Sequence, residues 1–390
     1  MAVNLGLAQV SSDFMIAALM IYSLAVLAFA GDFAFGRPRR ATRKSTASAV
    51  TPVALADADR AAELAAVGAA GVSGAAGAAG TAAVAGATAA GAAVNGAGGG
   101  PSGPGAAAPA TLAAGGGGGA NALPARPVPP FRAIWQAGPW VRVAVTLSAV
   151  GILAHVVAVI TRGFAVHRAP WGNMYEFVTA LTCVAAIFFV YVMIRYRAWA
   201  LGVFVMGAVV VALGLAETVI YTTAGPLVPA LQSYWLSIHV TAMTLSTGIF
   251  FVAAVLGIMY LVAERYRARV AAGKAQPGNG LLERIPSSAQ LDKLTYRTVI
   301  FGFPIWTFGV IAGAIWADQA WGRYWGWDPV ETFAFITWVL YATYLHARAT
   351  AGWRGRRAHY LQLLGFASLT FNMLVVQVFI TGMHSYAGVG

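Results

Sequence analysis

Four aromatic rings fall within seven residues in Trp321-Gly322-Arg323-Tyr324-Trp325-Gly326-Trp327, and Asp328-Pro329-Val330-Glu331 then opens an apolar run. Such a density of flat, apolar surface beside a membrane span suits a large planar ligand, and a porphyrin is the obvious candidate. His239 stands at the entrance of one apolar run, in Trp235-Leu236-Ser237-Ile238-His239. His384 stands at the exit of the last run, in Thr381-Gly382-Met383-His384. Two neutral imidazoles flanking an aromatic platform are what a bis-histidine haem site needs, since ring nitrogens bind iron axially while indoles pack on the macrocycle. His346 lies 15 residues past Glu331, about 22 Å along a helix. A polar group at that depth is a functional candidate, here a ligand for the iron nearer the other side of the membrane.

The bland readings compete at each position. Trp and Tyr collect at membrane interfaces without binding anything, and a lone His at a helix end is usually an interfacial residue. Four rings sharing a face with His239 and His384 exceed what anchoring requires. His155 and His167 have no second cue and read as structural. His359, beside Arg354, Arg356 and Arg357, reads as one more cytoplasmic cation.

Asp328 can cap the helix that follows, with Pro329 at its first position and Glu331 at its third, a capping-box arrangement. Capping is the favoured role for both acids. Its consequence is a turn that holds Trp325 and Trp327 in fixed orientations, with a helix N-terminus offered to an anion such as a propionate. Arg323, the loop's only cation, is a second propionate candidate. A similar turn runs Arg168-Ala169-Pro170-Trp171-Gly172-Asn173-Met174-Tyr175-Glu176. Glu176 there reads as a cap, and the functional alternative is packing of this turn against the Trp-rich loop. No acid–base residue is assigned.

These residues need a scaffold, and composition says which kind. The chain is 59% hydrophobic and 10% charged, more apolar than a soluble protein of 390 residues can bury. An all-α polytopic membrane protein with about eight transmembrane helices is expected. The apolar runs lie near 14–30, 143–160, 175–194, 199–217, 237–262, 299–316, 331–346 and 360–381. The net charge of +12 falls in short clusters between these runs, which is a topology signal and not a nucleic-acid stripe. Of the 25 Lys and Arg residues, all but Arg162, Arg168 and Arg323 belong to one set of loops. That set is read as cytoplasmic, which places both termini and the Trp-rich loop on the extracytoplasmic side of the cell membrane. The expected organisation is an N-terminal span in 1–36, a disordered Ala/Gly/Pro-rich cytoplasmic linker in 37–135 with its core at Ser45–Pro130, and a membrane domain in 136–390. No basic segment precedes the first run, so no cleaved signal peptide is expected. The single cysteine, Cys183, sits in an apolar run and makes no redox pair, so thiol chemistry belongs to a partner.

Together the motifs resemble the CcsA/ResC family of cytochrome c assembly proteins, the membrane synthase of System II cytochrome c biogenesis. Trp321–Glu331 is similar to its tryptophan-rich WWD motif. The likeness extends through Tyr344-Leu345-His346, His384-Ser385-Tyr386, Trp235-Leu236-Ser237-Ile238-His239 and Pro170 to Glu176. The WWD loop alone also fits System I haem-handling relatives, and the context of His346 with the span pattern favours System II. The resemblance implies a chain that binds haem b and presents it outside the membrane for thioether attachment to the Cys-x-x-Cys-His motif of apocytochrome c. It implies His239 and His384 as outer axial ligands and His346 as an intramembrane one. Trp321, Arg323, Tyr324, Trp325, Trp327 and Asp328 would contact the macrocycle. It further implies a CcsB/ResB-type membrane partner and a thioredoxin-like protein that keeps the client thiols reduced. Such a chain is a subunit of a haem lyase that works by templating. The alternatives are a transporter of haem or another aromatic solute, and a scaffold whose Trp loop only docks a partner.

Overall fold

The computed structural model describes residues 3–35, 130–225, 233–276 and 281–384. Every regular element among them is helical. Eight long helices follow in order: α1 Leu5–Phe35, α2 Pro139–Val166, α3 Met174–Tyr196, α4 Gly202–Thr218, α5 Tyr234–Ala271, α6 Ser288–Trp321, α7 Pro329–Ala349 and α8 Arg356–Phe371. A π turn, Asn372–Val376, and a last short helical piece continue α8 to Phe379. A short helix, Pro130–Gln136, precedes α2. It covers the end of the expected linker, and the rest of that linker lies outside the described residues.

Seven of the eight are long and apolar enough to cross a membrane. The chain is an all-α, multi-pass membrane protein. α7 is the exception by hydropathy because it carries Glu331, Thr337, Tyr341 and Tyr344, which are all buried. Its path runs antiparallel along α6. Arg348 at its far end bonds Asp292 at the start of α6 (2.6 and 2.9 Å). Trp338 donates to Thr307 at mid-height (2.9 Å), and 322–328 joins the opposite ends. α5 and α6 have 38 and 34 residues. At 1.5 Å per residue both outrun a hydrocarbon core of about 30 Å.

α1 to α4 share one core, which reaches α5 through Val252, Leu256 and Tyr260. A second core joins α5 to α8 around Phe250, Trp306, Tyr341 and Tyr344. Two aromatic knobs set the first. A Cβ at Gly151 would lie 2.7 Å from the Tyr22 ring, and one at Gly202 would collide with Phe29. Only a glycine at each position lets α1 approach this closely.

At the end of the bundle away from the Trp-rich loop, His359 is fully buried. Its Nε2 is 3.1 Å from Asp292, and its ring stacks on Tyr260 at 3.8 Å. It is therefore buried and partnered, where its basic neighbours in sequence suggested one more cytoplasmic cation. The Asp292 carboxylate, itself gripped by Arg348, draws the imidazole inward.

Candidate functional site

The Trp-rich loop is built by its own acids. Asp328 caps α7 by accepting from Val330 N at 3.3 Å. Glu331 reaches back and accepts from Asp328 N (3.1 Å) and Gly326 N (2.9 Å). Three donors are thus satisfied inside the turn, which fixes Trp325 relative to α7. Trp327 takes φ of 56°, a left-handed conformation that an aromatic residue rarely adopts. The reward is an outward ring: Trp327 is 64% exposed and meets Trp325 and Phe335 edge-on at 5.7 and 5.9 Å.

Asp328 does more than cap. Its Oδ1 accepts from Met383 N (2.7 Å) and its Oδ2 accepts from His384 Nδ1 (2.8 Å). One carboxylate therefore ties the loop to the end of α8. Burial pushes its pKa up, but the His384, Met383 and Val330 donors outweigh that and hold the carboxyl below its usual range. His239, on α5, is held in the same way. Its Nδ1 donates to the Gly309 carbonyl at 2.7 Å. With Nδ1 engaged in these bonds, Nε2 is the nitrogen each ring has left for a metal.

Trp316 touches both histidines. Its ring stacks on His239 (6.1 Å, 12°) and meets His384 edge-on (5.8 Å). Trp321 closes on both Trp316 (4.8 Å) and His384 (5.1 Å). These groups border a cavity of about 180 Å³. α3, α5, α6, α7 and α8 all contribute walls. Along α6 the lining runs from Trp306 to Trp321, about 22 Å of helix.

The cavity brings together His239, His384, Trp321, Tyr324 and Trp325, with Asp328 behind them. It leaves others out. Arg323 is exposed and folds over Gly326 in its own loop. Trp327 faces outward. His346 is exposed near the opposite end of α7, on the helix face that also carries Phe335 and Val339. The turn before α3 supplies Trp171 to the cavity wall. Asn173 caps that helix, and Glu176 instead accepts from Arg162 (3.0 Å), Arg168 (2.7 Å) and Gly172 N (2.9 Å). His155 is fully buried beside Tyr22, and His167 ends α2 in an exposed turn. Trp306, Trp316 and Asn372 are wall residues that the motif reading missed. Gly309, Gly313 and Ala317 recur every fourth residue on α6, a pattern that marks close helix approach. A Cβ at Gly313 would lie 2.6 Å from the His239 ring.

A model of the cytochrome C assembly protein family matches residues 171–384. The chain belongs to that family. The match begins at Trp171 and ends at His384, both on the cavity wall. A cytochrome c biogenesis protein CcsA of Heterosigma akashiwo is 35% identical over 245 residues, covering 56% of this chain and 76% of that protein. CcsA of Guillardia theta is 38% identical over 234 residues with the same coverage. The solved cytochrome c heme lyase CcmF is 19% identical with a TM-score of 0.44, over 63% of this chain and 43% of that one. Cytochrome c biogenesis is thus the process in which this family member works. α1 and α2 lie outside the matched residues.

Proposed function

We propose that this assembly protein holds haem in the cavity, with His239 and His384 as axial ligands, and presents it for attachment to apocytochrome c. The observation that carries the reading is the matched pair of imidazoles. Both bond protein acceptors through Nδ1, both pack on Trp316, and both border one apolar cavity. The haem is substrate here. Its vinyl groups take up thiols of a Cys-x-x-Cys-His motif: each S–H adds across a C=C, sulfur to one carbon and hydrogen to the other.

The chain's contribution is positional. Trp316 and Trp321 fix the tilt of the imidazoles, and Asp328 fixes the His384 tautomer. The capped loop holds Trp325 against the macrocycle, which converts a bimolecular addition into one between prearranged partners. The same reading places the Trp-rich loop outside the membrane, from the distribution of Lys and Arg. It assigns His346, on its exposed face, to a haem ligand completed by a CcsB/ResB-type partner, with a thioredoxin-like protein reducing the client thiols. The outward ring of Trp327 favours a docking role for the loop tip beside ligand binding.

Purified full-length protein, co-expressed with its partner, should show a low-spin haem spectrum. Replacing His239 and His384 together by Ala should abolish it. An unchanged spectrum in the double variant sinks the ligand assignment.

A further inference from the structure

The lining of the cavity, taken with the haem reading above, says which edge of a porphyrin enters first. Among the described residues no Lys or Arg lines it. The one acid on the wall, Glu331, already accepts two backbone N–H groups. The lining formed by the described residues therefore offers a carboxylate no counter-charge.

What it does offer is neutral. Trp306 is 3% exposed and Asn372 6%. Trp306 Nε1 and Asn372 Oδ1 are buried without hydrogen-bond partners among the described residues, and both residues line the cavity. Asn372 opens the π turn, and its Nδ2 is fixed on the Val330 carbonyl (3.1 Å), so Oδ1 is the atom left over. π turns of this kind concentrate at ligand sites. The cations of this end of the bundle lie elsewhere. Arg323 rests on Gly326, while Arg162 and Arg168 are bound to Glu176.

We propose that the cavity selects for macrocycles with an uncharged inner edge. It admits the hydrocarbon edge of iron protoporphyrin, keeps its paired carboxylates at the mouth, and excludes a porphyrin with carboxylates on more than one edge. An unpaired ion transferred into such an interior costs far more than a neutral group.

The test titrates the full chain in lipid nanodiscs with iron protoporphyrin IX, iron mesoporphyrin IX and iron coproporphyrin III, following the low-spin band. The variant lacking both His239 and His384 corrects for uptake by the bilayer. Mesoporphyrin, with ethyl groups for vinyls, should bind within ~3-fold of protoporphyrin. Coproporphyrin, with carboxylates in place of the vinyls, should bind at least ~100-fold more weakly. A Met373→Lys variant, which sets a cation on the same wall, should raise coproporphyrin affinity at least ~10-fold. Equal binding of all three porphyrins, or no gain in the Lys variant, overturns the selectivity and leaves the haem site standing. Absence of a low-spin band with protoporphyrin overturns both.

Discussion

Asp328→Asn is the sharpest probe of the site, because it preserves shape and changes one charge. The carboxylate accepts from Met383 N and His384 Nδ1 on separate oxygens, and from Val330 N as well. An amide has one accepting oxygen. If it serves Met383, the NH2 group faces His384 Nδ1–H and Val330 N–H. If it is turned, the NH2 group faces Met383 N–H. Two donors are stranded in the first pose and one in the second; in the first, the His384 ring is relieved by moving its proton to Nε2, the nitrogen the iron needs. Loss of a hydrogen bond to a charged group costs about 1.5–3 kcal/mol, which is a ~10–100-fold loss of haem affinity. The assay is a haem titration of wild type, Asp328→Asn, His384→Ala and the double variant. Because the carboxylate acts through the imidazole, the double variant should be no weaker than His384→Ala alone. Additive losses, or unchanged affinity in Asp328→Asn, would refute the orienting role. The linkage has a definite sign. A carboxyl held below its usual value stabilises the fold fully above its unfolded value of about 3.9 and loses that contribution as pH falls through the folded one. The wild-type loop should therefore stay intact until below about pH 4, and the Asn variant should lack that acid transition.

Three further substitutions separate ligand geometry from scaffold stability. Gly313→Ala places a methyl group 2.6 Å from the His239 ring; haem affinity should fall at least ~10-fold, with about 1–3 kcal/mol of overpacking seen in thermal melts. Glu176→Gln leaves Arg162 and Arg168 without their carboxylate, and a cost of about 3–5 kcal/mol should lower the melting temperature in detergent. Asp292→Asn weakens the grip on Arg348 and His359 at the opposite end of the bundle. It should lower stability by a similar ~3–5 kcal/mol while the spectrum of bound haem keeps its band positions; a shifted band would show that the two ends are coupled.

Much of this architecture was legible in the sequence. Apolar runs located the spans because lipid demands long uninterrupted helices. The capping box at Asp328 and Glu331 was readable because capping is local. Contacts across the bundle were not. Nothing in the neighbourhood of His359 marks Asp292, 67 residues away, as its partner. Asp328 reads as a cap on local grounds, and its bond to His384 spans 56 residues. Glu176 looks like a helix-end acid until Arg162 and Arg168 fold onto it. Trp306 and Trp316 sit inside an apolar run, where an indole facing a cavity and one facing lipid read alike. The recurrence of small residues at Gly309, Gly313 and Ala317 was the one cue to the tight seam beside His239.

The fit of α1 into Gly151 and Gly202 has a practical corollary. Tyr22 and Phe29 fill those notches by shape, so α1 is keyed to the bundle by contacts of its own. A chain cut between residues 40 and 125 should therefore leave two fragments that migrate together.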